Sequence, residues 1–575
     1  MADDLPQSPQ PFELGSQQLG ALPIVDAFLA RAGVTRVLGR YLAAGDARVT
    51  LPAATVIGVL VANLCVAREP LYGLGEWAGR HGPALLGLQA GQAGLLNDDR
   101  VGRALDQLFD ADRASLLTEL MLGVIAEFQV DCSQLHNDST SISLHGDYHA
   151  ADGRPRAGKP TVAAALGHSK DHRPDLKQFV LTLTISADGA VPLAHRLLDG
   201  NTGDDQTHIQ TWDGLVALVG RPDFLYVADC KLATREQMGH IHARAGRFVS
   251  VLPRSRAEDT QIREWAQTHP FDFTEACRRP GKRKDDPDAV YETAPAPIPS
   301  SEGHRIVWVR SSQKHACDAE TRRARIERGM LALEAVQAKL AGPRSRLRTL
   351  PAVHQAAETA LASTGAQRWI AYEITHATQD AFRQEKRGRP GPETRYRKTE
   401  KTIFTLTFRV QDDNVAYDAA TDGCFPLISN DHTLTDPELL TAYRYQPNLE
   451  KRHHQLKSVL GAAPVELKSP SRIEALACCE FIALLAQCLT ERELRAAMTR
   501  HNIAELPLYH EARASKAPTA ARVFDQFADT ARHHLTNHDG HTIQIFEPQL
   551  TDLQNQILDL LAIPRSAYHS AAAGP

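Results

Sequence analysis

Cysteine pairing is the first thing missing. The nine cysteines are scattered, odd in number and never spaced as CxxC, which argues against a disulfide framework and fits reduced thiols in the cytosol. Cys478 and Cys479 read as packed apolar residues. No GxxxxGK[ST] loop or GxSxG elbow occurs, so neither a nucleotide-driven motor nor a serine acyl-transfer enzyme is indicated. Cys230 has no sequence neighbour that reads as a partner base. The opening MADDLPQSPQ is acidic rather than basic-then-apolar, so no secretory signal is expected. The most apolar run, LPAATVIGVLVANLCVA (51–67), is short for a bilayer span, contains Asn63 and many small residues, and reads as a buried helix. No membrane association is expected, and no internal repeat is visible.

What is present is ordinary globular composition, 43% hydrophobic and 23% charged over 575 residues, a length that suggests several domains. The net charge of −5 hides an asymmetry. From Gly303 to Thr402 there are 20 Lys and Arg against 10 Asp and Glu, so this segment is +10 and the remainder −15. RRARIER (322–328) and KRGRPGPETRYRK (386–398) lie within it, and RRPGKRK (278–284) just upstream. Three basic clusters in one region of an acidic chain point to a phosphate-facing surface.

The pattern from Leu19 to about Phe128 is helical, and residues 1–129 read as an all-helical N-terminal domain. From Val130 the texture changes. VDCSQLHNDSTSISL reads as a strand, and KQFVLTLTISADGAVPLAHRLLDGN as a hairpin turning at Asp188-Gly189. A helix through THIQTWDGLVALVG, a buried strand DFLYVADC, a helix REQMGHIHARAG and a strand RFVSVLP complete a first core segment, 130–255. Residues 256–425 form a basic insertion. It has Pro-rich coil (TAPAPIPSS), short strands (HRIVWVRSS, TIFTLTFRV) and a helix through Ile326, Met330, Leu333 and Leu340 that Gly342-Pro343 stops. A second core segment, 426–500, holds the strand FPLISND and a buried helix from SRIEALACC onward; a polar and helical tail, 501–575, follows.

Three acids stand out. Asp138 lies on the first core strand and Asp229 ends the strand after the hairpin and helix. Adjacent parallel strands would bring them together at the carboxyl edge of a mixed sheet, where open α/β sheets bind ligands. The third is Glu450, in TAYRYQPNLEKRHHQLKSV (441–459), behind a capping box at Thr435–Glu438. Tyr443, Glu450 and Lys457 recur every seven residues and share a helix face with Gln446, while Pro447 should kink that helix or begin a new one. His453 and His454 point about 100° apart on a helix and make a poor metal pair. HHLTNHDGH (533–541) is likewise not read as a metal site.

These features together resemble the DDE transposases of bacterial insertion sequences. More narrowly they resemble the branch marked by Tyr-x2-Arg-x3-Glu-x6-Lys, which appears here as Tyr443-x2-Gln446-x3-Glu450-x6-Lys457 with Gln in the Arg position. LHNDSTSISLHG, GHSKDHRPDLKQFVLTLTISADGAVPL, LLDGNTGDD and YVADCKLAT are similar to that family's core, and LNDDRVGRALDQLF to the leading region of its IS-sixteen-thirty-four subgroup. The likeness covers roughly residues 50 to 490.

The resemblance implies an α/β fold: an RNase H-like mixed sheet flanked by helices, interrupted by a large inserted domain. The spacing agrees, since positions 230 to 449 hold 220 residues, far more than a crossover needs. It implies that Asp138, Asp229 and Glu450 are catalytic and bind Mg²⁺ (or Mn²⁺), with Asp138 bridging two ions about 3.5–4 Å apart. Three converging carboxylates would otherwise repel. Tyr443, Gln446 and Lys457 are expected to contact DNA, although Gln446 forgoes the charged, bidentate grip of an Arg. Expected partners are double-stranded DNA, at inverted-repeat ends and at the target, and a second copy of the chain. The expected place is the cytoplasm, on the nucleoid. Two alternatives stay open: a metal-dependent nuclease of the same fold without strand transfer, and a DNA-binding regulator on a decayed scaffold.

Overall fold

The computed structural model describes residues 12–42, 50–281, 286–342, 345–461 and 465–569. The N-terminal decapeptide, Lys282 to Lys284 of the upstream basic cluster, and Pro343 lie outside them. The chain divides into two compact units, one of Met1–Ser250 with Thr441–Pro575 and one of Val251–Leu440. The helical N-terminal region falls in the first of these units, and the second spans 251–440, where a basic insertion over 256–425 is expected.

The first unit opens with β1 (Glu13–Gln18) and the helices Leu22–Arg31, Val34–Tyr41, Ala53–Val66, Leu74–His81, Asp98–Asp110 and Arg113–Phe128. Asn97 and Asp112 cap the last two by accepting the backbone N–H three residues on. A sheet follows, of β2 (Gln134–Ser143), β3 (Gln178–Ser186), β4 (Pro192–Leu198), β5 (Leu225–Ala228) and β6 (Arg247–Val251). These strands lie in the order β4-β3-β2-β5-β6. β2, β3 and β4 are successively antiparallel, whereas β5 runs parallel to β2 and β6 parallel to β5. Every residue of β3 is buried, as its unbroken apolar and β-branched run requires. β2 is polar yet central, and its side chains find internal partners, as where Thr184 donates to Asn137 Oδ1 at 2.9 Å.

In the second unit β7 (Thr274–Arg279), β8 (Ala289–Pro295) and β9 (Arg305–Ser311) pair in sequence. The helices Ser312–Ala341 and Leu350–Thr364 then lead to β10 (Ile370–Gln384) and β11 (Tyr396–Val410), a two-stranded hairpin with fifteen residues in each strand. β12 (Cys424–Ser429) returns antiparallel to β9. The expected capping box is formed: Thr435 N donates to Glu438 Oε2 at 2.8 Å and Glu438 N donates to Thr435 Oγ1 at 3.4 Å.

Back in the first unit, the helix Pro470–Arg500 is buried over most of its circumference. It is long and apolar enough to cross a membrane by length and composition, but 83% of its apolar window is buried in the fold. It packs against the N-terminal helices, joined by ion pairs Arg472–Asp106 (2.8 Å) and Arg113–Glu474 (3.0 Å). The C-terminal segment is not only helical. It holds β13 (Ala531–Thr536) and β14 (Thr542–Phe546), which form a three-stranded sheet with β1. In that sheet His533 and His534 meet Ser16 and Gln17.

Candidate active site

Strand register sets the site. β2 and β5 pair in parallel up to Asn137↔Ala228, so the next residue of each, Asp138 and Asp229, lie side by side, one inter-strand spacing of about 4.8 Å apart in backbone. β5 ends there and β2 continues for five more residues, leaving an open edge. Asp229 turns the chain by accepting the Lys231 N–H at 3.0 Å, and Ser250 Oγ donates to its carbonyl at 2.6 Å.

The open edge is filled by two loops. Lys170 Nζ reaches in between 2.6 and 3.4 Å of Ser139 O, Ser139 Oγ, Asp138 Oδ1 and Asp204 Oδ2. Ser139 donates through Oγ to Asp204 Oδ1 at 2.5 Å and through its N–H to Asp138 Oδ1 at 2.7 Å. Beside them is a cavity of about 140 Å³ with Thr140, His168, Asp205 and Lys231 in its wall. Burial pushes the Asp138 carboxyl up to about 6, and the Asp229 charge adds to this while the Lys170 ammonium opposes it. Burial alone would lower Lys170, but the charges of Asp138, Asp204 and Asp229 outweigh it and raise it. Lys170 and Asp204 lie in the polar segments GHSKDH and LLDGNTGDD, and nothing local in the sequence marks either as part of the site.

Pro447 begins a new helix. One helix runs Asp436–Tyr443, the next Gln446–His454, and a π-helical turn Gln455–Val459 follows. Gln446 is buried and docks the second helix onto β2: His136 Nδ1 lies 2.8 Å from its Oε1, and its Nε2 donates to Asn137 O at 3.3 Å. An amide oxygen only accepts, so Nδ1 carries the proton, and Nε2 is then the acceptor for Gln134 Nε2 at 2.8 Å. Burial keeps that imidazole neutral, lowering it to about 4. Gln446, expected at a DNA contact, here makes internal hydrogen bonds to His136 and Asn137.

Lys457 also turns inward, its side chain 15% exposed, donating to Ser141 O at 2.7 Å and pairing with Asp171 at 2.7 Å. Lys457, expected to contact a phosphate, here ties the π-turn to the far end of β2. His453 is buried and His454 exposed, so the two face apart. Arg452 is buried too, paired with Glu491 at 2.9 Å and donating to the carbonyls of Gly189 and Ala190 in the hairpin turn.

Tyr443 lies within the field of all three acids. Burial raises its phenol, and the charges of Asp229, Glu450 and Asp138 raise it further. Glu450 itself is exposed. Asp138 and Asp229 are thus brought together, while the Glu450 charge is felt by Tyr443. Among the described residues no group of three or more His, Cys, Asp or Glu is arranged to hold a metal ion. The donor chemistry does fit a hard divalent cation, being carboxylate and hydroxyl oxygen. The Lys170 ammonium already stands against Asp138 at 3.2 Å.

Residues 14–122 match a family model described as a domain of unknown function, DUF4277. No curated protein matches the chain.

Proposed function

We propose that the chain is a DDE transposase, with an RNase H-like core that binds the inverted-repeat ends of its element, cuts them and joins them to target DNA. One observation carries the reading: in the strand order β4-β3-β2-β5-β6, Asp138 and Asp229 stand side by side where β5 ends. The antiparallel β2-β3-β4 followed by parallel β5 and β6 is the arrangement such a core requires, and the second unit falls where an insertion before Glu450 belongs.

Asp138 and Asp229 would hold Mg²⁺ or Mn²⁺, with Glu450 completing the set from the helix that Gln446 docks onto β2. A bound ion pair supplies a lowered pKa at an attacking water or 3′-hydroxyl, and stabilises the leaving oxygen. Around it the chain's own groups set the charge. Lys170 keeps Asp138 ionised near neutral pH, Ser139 orients Asp204, and Tyr443 stays a neutral donor beside the three acids. The basic insertion supplies phosphate contacts, so DNA binding should weaken steeply with salt. Two ends must be processed together, which favours a dimer on DNA.

One rival has an observation of its own. Lys170 lies against Asp138 where a cation would be needed, which favours a DNA-binding scaffold in which an ammonium has replaced the metal for good. Mg²⁺-dependent nicking of a duplex carrying the element's end separates the two. Wild type should nick, and Asp138→Ala, Asp229→Ala and Glu450→Ala should not. Full nicking by any one of the three variants would remove that residue from the site, and an inactive wild type would favour the scaffold.

A further inference from the structure

The hairpin β10–β11 leaves its support after a few residues. Ile370 and Leu406 are buried with Leu333, Val336, Ala357 and Leu361 of the two preceding helices. Between Thr375 and Thr405 no described residue is buried. The ten pairs from Thr375↔Thr405 to Gln384↔Tyr396 make an arm roughly 30 Å long at about 3.4 Å per residue. A two-stranded ribbon with water on both sides is marginal by itself.

Its two faces differ, because cross-strand partners share a face. One carries Phe382↔Lys398, Gln384↔Tyr396 and Asp380↔Glu400, and there Lys398 is neutralised by Asp380 at 2.8 Å. The other carries Arg383↔Arg397 and Gln379↔Lys401, with the small pair Ala381↔Thr399 between them. Arg383 and Arg397 are exposed and directly opposed, and neither has an acidic partner among the described residues. Opposed like charges destabilise a ribbon unless an anion lies between them. From 381 to 399 there are seven Lys and Arg against two Glu. The other basic cluster inside the insertion is partly spent within the fold, as in the Arg322–Asp422 pair at 2.6 Å.

We propose that the arginine face of this ribbon lies along duplex DNA, with Arg383 and Arg397 gripping backbone phosphates and Ala381 and Thr399 permitting close approach. The inference rests on the nucleic-acid reading above and names the surface that takes the duplex. Guanidinium forks match phosphate bidentately, and a two-stranded ribbon is narrow enough to enter the major groove.

The test uses the full chain and a fluorescent 30-bp duplex of arbitrary sequence, with anisotropy read between 0.05 and 0.2 M salt. Arg383→Ala/Arg397→Ala should weaken binding about tenfold and reduce the log–log salt slope by about 2. Arg383→Lys/Arg397→Lys should lose several-fold affinity with the slope unchanged, and Phe382→Ser, on the opposite face, should change neither. Removing opposed arginines relieves repulsion, so the melting temperature should not fall. Wild-type affinity and slope in the double alanine variant would overturn the ribbon assignment alone. Failure of the wild type to bind duplex would overturn it together with its parent reading. Polyglutamate that competes as well as duplex at equal charge would overturn the choice of DNA as occupant.

Discussion

Asp138 should cost the folded protein stability at neutral pH, and Asp138→Asn should recover it. An ordinary Asp ionises near 3.8, and burial beside Asp229 pushes this one up to about 6. Between those two values the folded chain holds a proton that the unfolded chain has released. Stability therefore falls as pH rises through that window and stays reduced above it. Two units at 1.36 kcal/mol each make the penalty about 3 kcal/mol at pH 7.5. Asn keeps the shape and removes the charge. Lys170 is not stranded, since it keeps Asp204 at 3.4 Å and the Ser139 carbonyl at 2.6 Å. Urea unfolding without divalent cation, followed by circular dichroism, should place the variant about 2–3 kcal/mol above wild type at pH 7.5. Near pH 4.5, early in that window, the difference should shrink to about 1 kcal/mol, and it should vanish only near pH 3, where Asp138 is protonated in both the folded and the unfolded chain. A variant that is neutral or less stable at pH 7.5, or whose gain is the same at every pH, would refute the reasoning.

Mg²⁺ at a hundred times its dissociation constant should stabilise wild type by about 2.7 kcal/mol and leave Asp138→Asn/Asp229→Asn unmoved, as read by melting with and without chelator. Lys170→Gln removes the competing ammonium, so calorimetry should show Mg²⁺ binding several-fold tighter than in wild type; unchanged affinity would mean that the lysine does not stand in the cation's way. Gln446→Ala leaves His136 and the Asn137 carbonyl without their buried partner and should cost about 1–3 kcal/mol in urea. Arg452→Ala breaks a pair whose side chains are 7% and 4% exposed and should cost about 3 kcal/mol, less if Arg495, at 3.3 Å from Glu491, takes over the charge.

Much of this architecture is legible in the residues, and the parts that are not share one cause. β3 and β5 announce themselves through apolar and β-branched runs, the hairpin through Asp188-Gly189, and the helix start at Thr435 through its capping box. Each of these signals is local. Lys170 and Asp204 sit in polar loops that resemble many others, and only the end of β5 creates the gap they fill. Gln446 occupies the position where the related motif has Arg, and spacing alone cannot tell an outward amide from one that closes a buried network with His136. β10 is not legible in the sequence because AYEITHATQDAFRQ has water on both sides over most of its length and so shows no two-residue period. The pairing of β1 with β13 spans more than five hundred residues, beyond the reach of any local pattern.

That division of the chain has a consequence for its birth on the ribosome. Residues 1–250 are synthesised long before the helix Pro470–Arg500 against which their own helices close. The intervening 190 residues, 251–440, take roughly 10–40 s to emerge at 5–20 residues per second. The inserted unit can thus mature while its host is still an unfinished shell with apolar helix faces bare. A message truncated before codon 470 would leave the DUF4277-matching segment a ward of chaperones rather than a free-standing module.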